Sequence, residues 1–378
     1  MLCMILVSCT GQKTGKENDN NDKIAIEVGE IKFPPQDVLQ LKSYYLSSSV
    51  HVDSIDYLIG YNYRLHSLDC MNLKSKSVTQ IVLPGDGPDA IVRLSGIYAQ
   101  SLDSVWISDE SERAFLIDSV GTIKRMIDLK KYLEDQEQLL INTNYAMFTS
   151  HLFYNASRHS LMFLVKHTPS NTFIVKEVFI DEVGKMATYQ LSSSKVVPDM
   201  SKGYAYINFP NVNFVGENIV YNYPVESSIY MLDIRTNERK YILADSHYTS
   251  NIIEKCTTSG DYATLEKHWL ENSHFYDIMY LPKYKIYARL HADKVDFDEK
   301  KGMEKLINER DLYLMLFDEN MEKIGETKLS NCRYSPFTSW NATYGGIALF
   351  VDNVLDEKNN TDDLTIDIIS CLLYTSPS

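Results

Sequence analysis

Carboxylates come first among residues that could do chemistry, because several close together bind a cation or share a proton. Asp293, Asp296 and Asp298, followed by Glu299, form the densest group. Calcium needs six or more oxygens converging on one point. The spacing is not that of an EF-hand, because the glycine comes late, at Gly302. Lys294, Lys300, Lys301, Lys305 and Arg310 are interleaved, so the segment reads as a solvated charged excursion. None of the histidines forms HExxH or stands four residues from another, which leaves zinc without an anchor. There is no G-x-S-x-G elbow to raise a serine nucleophile. Cys70, Cys256 and Cys332 are an odd set without CxxC spacing, so neither a zinc site nor a disulfide framework is predicted. No cofactor and no metal is expected, and no catalytic set is assigned.

Two features point to binding instead. Gly85-Asp86-Gly87-Pro88-Asp89 is rich in turn residues. A phosphate cradle would need a following Lys-Ser/Thr or a helix start. Neither follows, so the loop reads as a tight turn between repeats, on a face suited to partners. Aromatic side chains are the second feature. Most must pack between sheets. Trp269 and Trp340, with polar neighbours, are the candidates for stacking on a sugar ring or a protein partner.

The elements that position these residues repeat. A short apolar strand runs into Asp118, Asp181, Asp233 and Asp318, and a second segment ends in a leucine 11, 10, 10 and 11 residues later. A looser copy runs from Asp69 to Leu83, a gap of 14, and Asp367 marks a sixth. Each is predicted to be a hairpin in which the Asp caps the turn. Another apolar strand precedes each hairpin, as in Val105-Trp106-Ile107 and Ile219-Val220-Tyr221, and a further segment precedes that. Four short strands recurring at about 50 residues predict an all-β fold, a six-bladed β-propeller of four-stranded antiparallel blades. Ile24 to Val28 belongs to no unit and is expected to pair with the last blade, closing the ring. Lys130–Ile141 and Tyr262–Asn272 are predicted helices, and Ala292–Arg310 an insertion in blade five.

Composition agrees with one ring over residues 24–370. Of 378 residues, 44% are apolar, enough to fill narrow layers between blades. The net charge of −14 excludes a general role on nucleic acid, whose phosphates need a basic field. At the start, Leu6-Val7-Ser8-Cys9 follows an apolar run and resembles a bacterial lipobox, with lipid on Cys9. Residues 1–8 would then be a signal peptide without its basic start, and 9–23 a polar tether. Cys371 to Ser378 breaks the pattern and resembles translated adapter sequence, so it is set aside as a non-native tail.

The lipobox, the tether and the Gly85–Asp89 phrase before Val105-Trp106-Ile107-Ser108-Asp109 together resemble Bacteroidota-type six-bladed propeller lipoproteins, a family catalogued as a domain of unknown function. The resemblance implies a cell-envelope protein, lipid-anchored at the outer membrane, that binds a ligand, a glycan or a protein partner. It carries over no catalytic residues. Two alternatives stand beside it: a hydrolase or lyase working in the central channel, and a structural subunit of an envelope complex.

Overall fold

The structure, a computed structural model, describes residues 24–33, 41–140, 152–197, 204, 209–256, 261–336, 340–359 and 363–373. The signal segment, Cys9, the spacer and residues 374–378 lie outside them. Strand β1 (Ile24–Phe33) comes first and is used last. Blade 1 follows as β2 (Ser47–Val52), β3 (Ile55–Asn62), β4 (Ser67–Asn72) and β5 (Val78–Val82), paired in that order from the axis outward. Blade 2 is β6 (Leu94–Ser101), β7 (Ser104–Asp109), β8 (Arg113–Ile117) and β9 (Ile123–Asp128). In blade 3 the inner place is shared by β10 (Glu137–Leu139) and β11 (Phe153–Asn155). Both pair with β12 (Ser160–His167), which leads to β13 (Thr172–Phe179) and β14 (Met186–Gln190). Blade 4 is β15 (Asn211–Val215), β16 (Asn218–Asn222), β17 (Ile229–Asp233) and β18 (Arg239–Ile242). Blade 5 is β19 (His274–Leu281), β20 (Ile286–Ala292), β21 (Leu312–Phe317) and β22 (Lys323–Lys328).

Blade 6 supplies β23 (Trp340–Ala342), β24 (Ile347–Phe350) and β25 (Leu364–Leu373), and β1 completes it as the outermost strand. Ten residue pairs, from Ile24–Leu373 to Phe33–Leu364, join β1 to β25. The six-bladed propeller and its N-terminal closing strand are therefore both present. Cys371 to Leu373 continue β25 along this ladder.

Burial follows from the ring. Second strands such as β12 and β24 are almost wholly buried because neighbouring blades cover both faces. Outer strands alternate, as in β14, whose residues face solvent and sheet in turn. Six apolar layers result, one at each junction between blades. Leu68, Ile97 and Phe115 fill the first. Phe33, Leu58 and Phe350 fill the layer where the ring closes.

The repeated aspartates divide into groups. Asp118, Asp233 and Asp318 cap their turns as expected, each accepting two backbone N–H bonds. Asp69 and Asp367 do not. Both are fully buried within strands, where Asp69 accepts from Tyr44, Asn62 and Gln80 and Asp367 from Arg333 and Tyr334. In blade 1 the cap belongs to Asn72, which accepts from Lys74 and Ser75 N–H. Counted from Asn72, the distance to Leu83 is 11, so the looser copy was misphased by three residues. Asp181 is exposed and pairs with Arg125.

Two local expectations are corrected. Only Leu129–Tyr132 winds, as a single 3-10 turn, where a helix to Ile141 was predicted. Beyond it Glu137 meets the buried Lys176 at 2.5 Å, and pairing with β12 overrides helix propensity. Tyr262–Leu270 is a helix, α1, with Asp261 accepting from Thr264 N–H at its start. The Ala292–Arg310 insertion is anchored rather than wholly solvated. Its helix α2 (Met303–Asn308) buries Leu306 and Ile307, and Arg310 donates to the carbonyls of Asp293 and Asn272. The Asp293–Glu299 carboxylates do not converge, and the described residues contain no cluster of three or more metal-ligating groups.

One buried carboxylate gives a pH prediction. Burial alone would raise the Glu326 carboxyl, but bonds from His291, Ser246, the His247 N–H and Lys323 outweigh it and hold it at about 2. A lowered folded value adds stability that is complete above the unfolded value of about 4.3 and lost as pH falls toward 2. Glu326→Gln should thus cost about 3 kcal/mol at pH 7, a gap that closes by pH 2 in urea titrations. A gap independent of pH would reject this assignment.

Candidate functional site

The inner strands of all six blades surround one cavity of about 320 Å³ on the axis. Its wall has two characters. Where blades 2, 3 and 4 meet, aromatic rings bridge the inner strands: Tyr98 lies 5.3 Å from Phe153, and Phe153 4.4 Å from Phe214. Around the rest of the ring the bridges are polar. Asn213 Nδ2 donates to the Ile278 carbonyl at 2.8 Å, joining blades 4 and 5. Trp340 Nε1 donates to Asp277 Oδ1 at 2.9 Å, joining blades 5 and 6. Asn341 Nδ2 donates to Ser47 Oγ at 2.6 Å, joining blades 6 and 1. Ser48 Oγ accepts from Ala99 N–H at 3.0 Å, joining blades 1 and 2.

A register shift positions the carboxylate. Between Phe275 and Ile278 the β19–β20 pairing slips, so Tyr276 and Asp277 together oppose Leu290 and one extra residue enters the inner strand. Such a bulge re-aims side chains. Asp277 consequently lines the cavity while Tyr276, fully buried, packs edge-on against Trp340 at 4.6 Å. Among the described lining residues Asp277 is the one acidic or basic side chain.

Some lining groups keep unused hydrogen-bonding capacity. The phenols of Tyr98 and Tyr280 make no hydrogen bond within the described protein. Burial raises the pKa of both, so they remain O–H donors at neutral pH. Asn341 spends its amide N–H on Ser47 and keeps its oxygen, while Ser48 accepts a bond without donating one.

The residues singled out from sequence fall in three places. Trp340 lines the cavity. Trp269 does not present its ring to solvent: it is 4% exposed on α1, donating to His274 and lying under the Arg310 guanidinium. Its polar neighbours in sequence, His268 and Asn272, are engaged with the Glu254 and His268 carbonyls. Gly85, Asp86, Gly87, Pro88 and Asp89 form the exposed connection from β5 to β6 and are not part of the cavity. Gly87 there has φ +89 and its carbonyl accepts from Ala90 N–H, as a turn requires. Sequence reading missed Tyr98, Phe153, Tyr280 and Asn341. Their strands were legible, but the side of each strand that turns to the axis was not.

Known proteins place this architecture. The chain resembles a solved structure from Bacteroides vulgatus, a member of the DUF4221 family. That likeness has a TM-score of 0.75 and 13% identity, covering 94% of this chain and all of that one. It is also similar to a Bacteroides fragilis protein named as exported, with TM-score 0.57 and 14% identity over 94% of this chain and 97% of the other. At such identity these likenesses establish the fold alone. No curated protein sequence matches. The model of DUF4221, a domain of unknown function, matches residues 17–328, and the chain belongs to that family.

Proposed function

We propose that the protein is an extracytoplasmic binding module, lipid-anchored through Cys9, that takes a small ligand into the propeller's central cavity. The observation that carries the binding role is the cavity itself. It combines an aromatic wall with a few fixed polar groups, the composition of a ligand pocket.

The lipobox-like Val7-Ser8-Cys9 supports the anchor, with an outer-membrane address. The name of the similar Bacteroides fragilis protein, which calls it exported, supports a place outside the cytoplasm. Among the described residues no helix is long and apolar enough to cross a membrane, so attachment would fall to the lipid. Residues 10–23 would act as the spacer, with a root-mean-square reach of about 20 Å if they behave as a flexible coil.

Metabolic labelling with a radioactive fatty acid tests the anchor. Label should appear in the protein and in the membrane fraction, and Cys9→Ala should remove both. Label that survives the substitution would refute anchoring at Cys9.

A further inference from the structure

The free groups of the cavity define its ligand. We infer that the axial cavity binds an uncharged, hydroxyl-rich ring, a neutral saccharide of one or two units. This rests on the reading of the cavity as a binding site and names what enters it.

Charge comes first. A buried ion needs a counter-charge, or it retains a desolvation cost of several kcal/mol. No cation lines the described cavity, so phosphate, sulfate and carboxylate ligands would go unpaired. Asp277, the one carboxylate, is already bonded to Trp340.

Geometry comes second. The Tyr98–Phe153–Phe214 wall offers ring faces and edges but no hydrogen bond from either phenylalanine. It suits the C–H face of a pyranose, an apolar patch on an otherwise polar molecule. The unspent groups suit its hydroxyls. Tyr98 and Tyr280 offer phenol donors, Ser48 a hydroxyl donor and Asn341 a carbonyl acceptor. Sugar hydroxyls both donate and accept, so one ligand class satisfies all four. A purely apolar ligand would leave these groups buried without partners, at about 1–3 kcal/mol each.

Volume comes third. About 320 Å³ is at the small end of ligand pockets, which limits the occupant to one or two rings. A longer chain would have to project from the axis.

The test is saturation-transfer NMR and calorimetry on the full chain. The probes are methyl glucoside, methyl mannoside, methyl galactoside, and neutral disaccharides of each sugar. Glucuronate, glucosamine, glucose 6-phosphate and the apolar-ring probe phenol serve as comparisons. At least one neutral probe should bind, with transfer strongest at its ring C–H protons. Tyr98→Phe and Tyr280→Phe should each weaken it about five- to tenfold while leaving the thermal midpoint unchanged, as befits loss of one hydrogen bond. Asn341→Ala, which also releases Ser47, is read only beside those two. If a charged sugar or phenol binds with Tyr98 dependence while every neutral sugar is silent, the saccharide inference fails and the binding cavity stands. If no probe of any class binds, both fail.

Discussion

Arg333→Ala should destabilise the propeller by about 3–5 kcal/mol, the cost of stripping a buried charge of its partner. Arg333 grips Asp367 with two parallel bonds, Nε to Oδ2 at 2.5 Å and Nη2 to Oδ1 at 2.9 Å. The same guanidinium reaches Glu30 of β1 at 2.8 Å. Asp367 is wholly inaccessible, and after the substitution only the Tyr334 hydroxyl would remain to solvate it. Glu30, by contrast, is 42% exposed, so Glu30→Ala should cost at most about 1 kcal/mol. Arg333→Lys should not rescue, because an ammonium cannot form the bidentate pair. Urea denaturation measures all three. Equal losses for Arg333→Ala and Glu30→Ala would place the stabilising contact at β1 rather than at Asp367.

Arg289→Ala is expected to cost a similar amount, about 3–5 kcal/mol, for a different reason. Arg289 is fully buried between blades 4 and 5, with its guanidinium 4.8 Å from the Phe275 ring and 5.8 Å from Phe317. It donates to the Ser227 carbonyl at 2.6 Å and the Ala244 carbonyl at 3.0 Å. Truncation would leave two carbonyls unpaired and a cavity between two rings. Burial pulls the guanidinium down to about 9, against the opposing pull of Glu326, Asp245 and Glu226. Its Nε–H finds no acceptor, a cost the native protein already bears. Arg289→Met should recover the packing but not the carbonyls, and so fall about midway. A methionine variant as stable as the wild type would show that the carbonyl bonds contribute nothing net.

The ring was legible because its determinants are local. Apolar strands, turn residues and a period near 50 are written in neighbouring residues, and so was β1, a strand with no hairpin of its own. The chemistry of the aspartates was less so. Asp69 and Asp118 each follow an apolar residue, Leu68 and Ile117, yet one lies inside a six-residue strand and the other begins a turn. Only strand register separates them, and register depends on what the adjacent blade buries. The cavity was the least legible part. Tyr98, Phe153, Tyr280 and Asn341 stand on four different inner strands, far apart in sequence, and meet only where the ring closes. Trp340 and Trp269 were singled out by the same rule, polar neighbours in sequence, yet one lines the cavity and the other lies buried beneath Arg310. Sequence neighbours report the polarity of a segment, not the side from which another element covers it.

The pairing of β1 with β25 also orders events in time. The first described strand to be synthesised finds its partner only after more than 300 further residues have emerged. Until then Ile31 and Phe33 have no layer to enter, and both ends of the growing arc offer open edges to other chains. Joining ends so distant in sequence makes closure a high-contact-order step, the slow stage of assembly. A ribosome-bound chain is therefore an unclosed arc with an adhesive end. A chaperone that shields β1 during synthesis would protect the molecule at the stage when it is most open to strand exchange with its own copies.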